Sequence, residues 1–151
     1  MLNGRGYPDT VNPAELENTA EEAGWENSVS QRIDSLITAT KGQKILLRIS
    51  SLSTTSFHTL TVLGIPMKVV GKGSRLLRGP SPDGGTTPGQ DLYYMTNSVT
   101  LGGGIAMDVI LDTAQVDPGT YFLYTTNLDH LSNDKEDFGG MMTEIVVAPA
   151  P

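Results

Sequence analysis

Asp129, Asp134, Glu136 and Asp137 set four carboxylates within nine residues, a density that would attract a hard cation such as calcium. Calcium loops, however, take their oxygen ligands at fixed offsets around a glycine turn, and this stretch has no such spacing. Gly71-Lys72-Gly73-Ser74 has the residue types of a phosphate-binding loop but lacks the required glycine spacing and a following helix. Gly102-Gly103-Gly104 precedes an alternating apolar run, so it marks a tight turn and not an anion cradle. The serines and the two histidines, His58 and His130, occur without the elbow or triad context of nucleophilic catalysis. The chain has no cysteine, which excludes disulfides, thiolate metal sites and cysteine nucleophiles together. Lys68, Lys72, Arg75 and Arg78 place four of the ten basic residues in one short stretch. That cluster suits either an acidic partner, including the acidic arm described next, or a solvated, charge-balanced surface. Type and spacing alone assign no catalytic or cofactor-binding residue.

The elements around these residues read as an all-β protein. A chain of 151 residues is expected to form one domain with a real core, and 17 Gly with 9 Pro point to short strands and many turns. Residues 1–28 form an expected extended acidic arm. Residues 1–34 carry seven acids against Arg5 and Arg32, with turn signals at Tyr7-Pro8-Asp9 and Asn12-Pro13. Ala14 to Ala23 allows a helical turn or two but has no apolar stripe. Residues 29–151 form the domain. Strands are predicted at Lys44–Ser50, Thr59–Leu63, Met67–Val70, Leu92–Thr100, Ala106–Leu111, Tyr121–Thr126 and Met142–Val147, with Ser81–Gln90 as a surface loop. Burying one face of each gives a Greek-key β-sandwich of two antiparallel sheets over residues 30–148. Ile45, Leu47, Ile49, Val109, Leu111 and Leu123 are the predicted core.

A net charge of −7 and a pI near 4.6 argue against nonspecific nucleic-acid or anionic-membrane binding. No apolar stretch approaches the ~20 residues that span a bilayer, so no membrane span is expected. Met1-Leu2-Asn3-Gly4-Arg5 lacks the layout of a signal peptide, and Val147-Ala148-Pro149-Ala150-Pro151 has the composition of an Ala-Pro linker. These ends favour a piece of a longer secreted protein over a cytoplasmic one.

Several blocks carry a family resemblance. Pro118-Gly119-Thr120-Tyr121-Phe122-Leu123-Tyr124-Thr125-Thr126 resembles the strand that ends in the His-Cys-His triplet of multicopper oxidases. In order before it stand Asn3-Gly4-Arg5-Gly6-Tyr7-Pro8, Gly42 to Ile49, Phe57 to Gly64 and Leu101 to Asp112, each similar to a segment of a cupredoxin domain of that family. Gly139-Gly140-Met141-Met142 resembles the Gly-Met that supplies an axial sulfur.

The resemblance implies a set of ligand positions, most of them substituted. His58 falls on the first His of the family's His-x-x-His-x-His-Gly run, a type 1 ligand. Thr61 and Leu63 fall on its two trinuclear His positions. Thr125 stands for the Cys, and Tyr124 and Thr126 for its flanking His. His130 falls on the second type 1 His and Met141 on the axial Met, across a Leu131–Gly140 connection longer than the family's usual one. The resemblance therefore implies a cupredoxin-like domain without catalytic residues, acting as a structural or interaction module in a larger protein or assembly. Its expected partners are other domains or subunits, or further copies of itself, in an extracytoplasmic compartment. No cofactor is expected. The alternatives are copper held at the vestigial positions His58, His130 and Met141, for binding or electron transfer, or a complete copper site in a neighbouring domain. The bland counterpart is that His58 caps a strand and His130 sits in a polar loop.

Overall fold

Apolar and polar residues alternate along Lys44–Ser50, Ala106–Asp112 and Met142–Ala148, so each strand has one face to bury. The computed structural model describes residues 1–17, 29–133 and 138–151. The strands among them are β1 (Leu16–Glu17), β2 (Val29–Ser30), β3 (Ile37–Thr40), β4 (Lys44–Ser50), β5 (His58–Val62) and β6 (Met67–Lys72). They continue with β7 (Arg75–Leu76), β8 (Tyr94–Thr96), β9 (Ser98–Leu101), β10 (Ala106–Asp112), β11 (Gly119–Thr125) and β12 (Met142–Ala148). Two short 3₁₀ turns, η1 (Asp9–Val11) and η2 (Leu128–His130), complete the described elements.

The strands build a β-sandwich. One sheet runs β4-β10-β6-β7, with β8 also paired to β6, and the other runs β3-β12-β11-β5-β9. The core lies between them. Met67, Val69, Val109, Leu111 and Ile145 are fully buried there, each contributing about 1.5–3 kcal/mol. Leu47 and Leu123 join them as predicted. Ile45 and Ile49 pack on the cluster but stay partly exposed, because β4 is an edge strand with a neighbour on one side only.

Three expectations need correction. The sheets are not wholly antiparallel: β3 runs parallel to β12, with Ile37 opposite Ile145. A parallel pair needs a long crossover, and most of the domain intervenes between these two strands. The single strand predicted over Leu92–Thr100 is two strands in different sheets, β8 and β9. Thr96 Oγ1 accepts from Ser98 N at 3.3 Å and donates to Ser98 O at 2.9 Å, turning the chain at Asn97 from one sheet to the other. Leu16–Glu17 forms a strand with Val29–Ser30 and not part of a helical turn, while residues 18–23 of that expectation lie outside the described residues.

Residues 1–17 are tied to the rest of the described chain by hydrogen bonds. Arg5 is only 1% exposed, and its guanidinium donates to the carbonyls of Asp9, Ala14 and Asn12 and twice to Gln31. Five donors in a rigid fork suit such a ring of carbonyls. Ser35 N donates to Thr10 O, and Thr10 Oγ1 to Met142 O at 2.8 Å, stitching η1 to β3's approach and to β12.

Candidate metal centre

His58 opens β5 and faces Leu101 of β9 across the ladder. Its position depends on the turn after β9. Gly104 N donates to Ser51 O and Ser51 N to Ile105 O, while Gly103 has no room for a side chain against the Ser53 carbonyl. The triple glycine is thus the tight turn expected. His130 ends η2, whose first residue is capped by Asn127: its side chain accepts from Asp129 N at 3.1 Å.

The Leu131–Gly140 connection does not carry His130 away from Met141. Met141 N donates to His130 O at 2.8 Å, and Gly139 N to Leu131 O at 3.0 Å. Asn133 bridges the arm to this loop, donating to Tyr7 O at 2.6 Å and accepting from Gly140 N at 2.8 Å. Tyr7 N in turn donates to Gly140 O, and the Tyr7 hydroxyl to Glu144 Oε1 at 2.9 Å.

The result is a shared cavity of about 530 Å³ lined by His58, His130 and Met141, with Ile49, Leu60 and Leu101 among its apolar walls. The two imidazole centroids are 5.4 Å apart, with the rings tilted by 51°. Both Nδ1 atoms are buried and make no hydrogen bond. A buried nitrogen left unpartnered costs about 1–3 kcal/mol, so a pair in one cavity calls for an explanation.

The remaining family positions offer no further ligand. Thr125 is fully buried opposite Leu60, and its Oγ1 accepts from Asn127 N at 3.3 Å. Thr61 donates to Asn97 O at 2.6 Å, and Leu63 is 63% exposed. Tyr124 pairs with Thr61 across the ladder, and Thr126 is exposed. Among the described residues no group of three His, Cys, Asp or Glu could hold a metal. Asp129 is exposed at the cavity, and Asp134, Glu136 and Asp137 lie outside the described residues.

The basic stretch is in part accounted for within the fold. Arg78 pairs with Asp91 at 3.1 Å, and Lys68 and Arg78 flank the Tyr93 ring at 5.3 and 5.9 Å. Gly71-Lys72-Gly73-Ser74 forms the tight turn between β6 and β7, with Gly73 and Ser74 both at positive φ. That is hairpin geometry, not a phosphate cradle.

Residues 2–147 match the family model of the multicopper oxidases, and the chain belongs to that family. The blue copper oxidase of Nitrosomonas europaea shares its fold with a TM-score of 0.58 at 24% identity, over 74% of this chain and 30% of that one. A multicopper oxidase from Pseudomonas thermotolerans gives 0.54 at 21% identity, over 74% and 22%. A laccase from Botrytis aclada gives 0.55 at 13% identity, over 87% and 21%. No curated protein sequence matches. The likenesses establish the cupredoxin-like sandwich, and the chain spans at most 30% of the length of these three proteins.

The family's copper chemistry can be tested against the residues present. A type 1 centre rests on a thiolate, which the chain does not have, and Thr125 fills that position with a hydroxyl already engaged by Asn127. The trinuclear centre needs imidazoles where Thr61, Leu63, Tyr124 and Thr126 stand. Neither centre fits. What remains is a set of two imidazoles and a thioether. Sequence reasoning named these three and quoted Gly140 and Tyr7 within resembling blocks, but it did not name Asn133 and gave no sign of the hydrogen bonds that link the three around Met141.

Proposed function

We propose that the chain is a redox-silent cupredoxin domain that serves as a structural or interaction module in a larger multicopper-oxidase-type protein or assembly. The observation that carries this is Thr125, buried at the thiolate position with its hydroxyl hydrogen-bonded. Without a cysteine thiolate there is no source of the strong charge-transfer band. Leu52, Phe57 and Leu128 support the interaction role. They are 92%, 76% and 76% exposed in the segments leading to the two histidines, where a neighbouring domain or subunit would cover them. By the habits of the family such an assembly works outside the cytoplasm.

A second role rests on coverage. The structural relatives are more than three times as long as the part this chain matches, which favours a contribution to an oxidoreductase whose copper site lies in a neighbouring domain.

The test of the silent role is spectroscopic. Purified chain with copper(II) is expected to stay colourless and to consume no oxygen with a phenolic substrate beyond a copper-only control. An intense band in the blue-copper region, or oxygen uptake above that control, would end it.

A further inference from the structure

We propose that the hairpin joining β6 to β7, with Arg48 of β4 beside it, docks an acidic polypeptide segment of another domain through Arg48, Lys72 and Arg75. This rests on the interaction role proposed above and gives that role a face and a partner chemistry.

The starting point is a pair of like charges. Lys72 and Arg75 stand directly opposite each other across the β6–β7 ladder, joined by a two-residue turn. Like charges in that position destabilise a ladder. Arg78 of the same basic stretch is neutralised by Asp91 and, with Lys68, lies against Tyr93. No acid among the described residues pairs with Lys72 or Arg75. The fold leaves these two cations exposed and uncompensated.

Both line a cleft of about 490 Å³ together with Arg48, Ser74 and Asp108. Gly71 lines it without a side chain, and a β-carbon there would lie 3.0 Å from Asp108 Oδ2 and 3.2 Å from Arg75 O. Asp108 is the acid in the lining, and it is already shared with Arg48 at 3.6 Å. Three of the ten bases thus meet one of the seventeen acids here, on a chain of net charge −7. A local reversal of sign of this kind steers and orients a partner of the opposite charge.

The spread of the cations selects the partner. A compact phosphate is held best by donors converging on one point, as at a helix N-terminus, and a hairpin has no such array. Arg48, Lys72 and Arg75 come instead from three strands, which suits carboxylates spaced along a polypeptide. An anionic lipid surface would meet the net charge of the whole chain and be repelled.

The test is a titration of the full chain with hexaglutamate at low salt, followed by backbone amide shifts. Shifts are expected at Arg48, Asp108 and residues 71–76, and should fade as salt is raised. Lys72→Glu and Arg75→Glu are each expected to weaken binding about fivefold or more. Lys44→Glu reverses a charge already paired with Asp112 on the same sheet and should weaken it less than about twofold. Arg75→Glu turns the like pair into an opposite one, so it should resist urea at least as well as the parent. Its loss of binding is then not a loss of fold. The docking site is overturned by an absence of shifts, by shifts centred elsewhere, or by equal weakening in all three variants. Inorganic phosphate bound as tightly as hexaglutamate would make the cleft a small-anion pocket and overturn it too. So would tighter binding to phosphatidylserine vesicles, which indicates a lipid surface, or self-association that Arg75→Glu abolishes, which indicates a second copy. None of these outcomes touches the silent role, which fails only on colour or oxygen uptake, or the separate contact at Leu52, Phe57 and Leu128.

Discussion

Gly140 lies flat against the carbonyl of His130, so close that a β-carbon on Gly140 would fall well inside contact distance of that oxygen. Gly140 also has φ of +71°, a conformation that L side chains avoid. The residue before Met141 is therefore glycine for two independent reasons.

Gly140→Ala is expected to destabilise the domain by about 2 kcal/mol or more, from left-handed strain plus the backbone clash. Gly104, at φ +73° with nothing near its missing β-carbon, is the control, and its alanine variant should lose about 1–2 kcal/mol from strain alone. Urea midpoints for both variants measure the difference. Equal losses would mean that the His130 contact relaxes freely.

Thr125→Cys is expected to bring back the missing thiolate. The histidine rings remain 5.4 Å apart despite the long connection after His130, and Thr125 N donates to Met141 O at 3.0 Å. The variant should bind copper(II) at least tenfold more tightly than the parent and acquire visible colour, while Thr125→Ser stays colourless. Absorption and electron paramagnetic resonance spectra check this. A folded, colourless cysteine variant would mean that the sulfur does not reach the histidines.

Tyr7 gives the stability a dependence on alkali. Its phenol is held above the usual value of 10.0 by the hydrogen bond to Glu144, by burial and by the charge of that carboxylate. Folding thus favours the neutral phenol. Its contribution is complete below pH 10, the unfolded value, and is lost as pH rises through the higher folded value. Denaturant midpoints measured from pH 9 to 11 should fall more steeply for the parent than for Tyr7→Phe, which has no proton to lose.

Arg5→Lys is expected to destabilise the domain by about 3 kcal/mol despite keeping the charge, as a single ammonium cannot reach the same ring of carbonyls. Chemical denaturation should rank parent well above Arg5→Lys. A lysine variant as stable as the parent would show that only the charge matters there.

Much of the sandwich was legible because burial writes a period of two into its longer strands. Ile45-Leu47-Ile49 and Met107-Val109-Leu111 carry that period, and both strands lie where expected. Ile37–Thr40 was missed because it is only four residues long and takes its place through pairing with distant β12. The break at Asn97 was missed because a hydroxyl of Thr96, and no glycine or proline, makes the turn. In the site, residue types identified His58, His130 and Met141, but only the folded loop shows that they share a cavity. Spacing along the chain would have separated His130 from Met141, whereas hydrogen bonds through Asn133 and Tyr7 bring them together. Arg5 could not have been found as a clasp, since its partners are carbonyls, which every residue has.

The arm's bond from Thr10 to Met142 closes a loop of 132 residues, and its neighbour from Tyr7 fastens the loop that holds Met141. Contacts so distant in sequence form late, since closing such loops costs entropy before any contact repays it. The cavity's final shape is consequently among the last things to be made as the chain emerges and folds. A nascent or trimmed molecule would have both histidines and the methionine yet no fixed place for them, so the pocket is a product of the finished fold and not of the residues that line it.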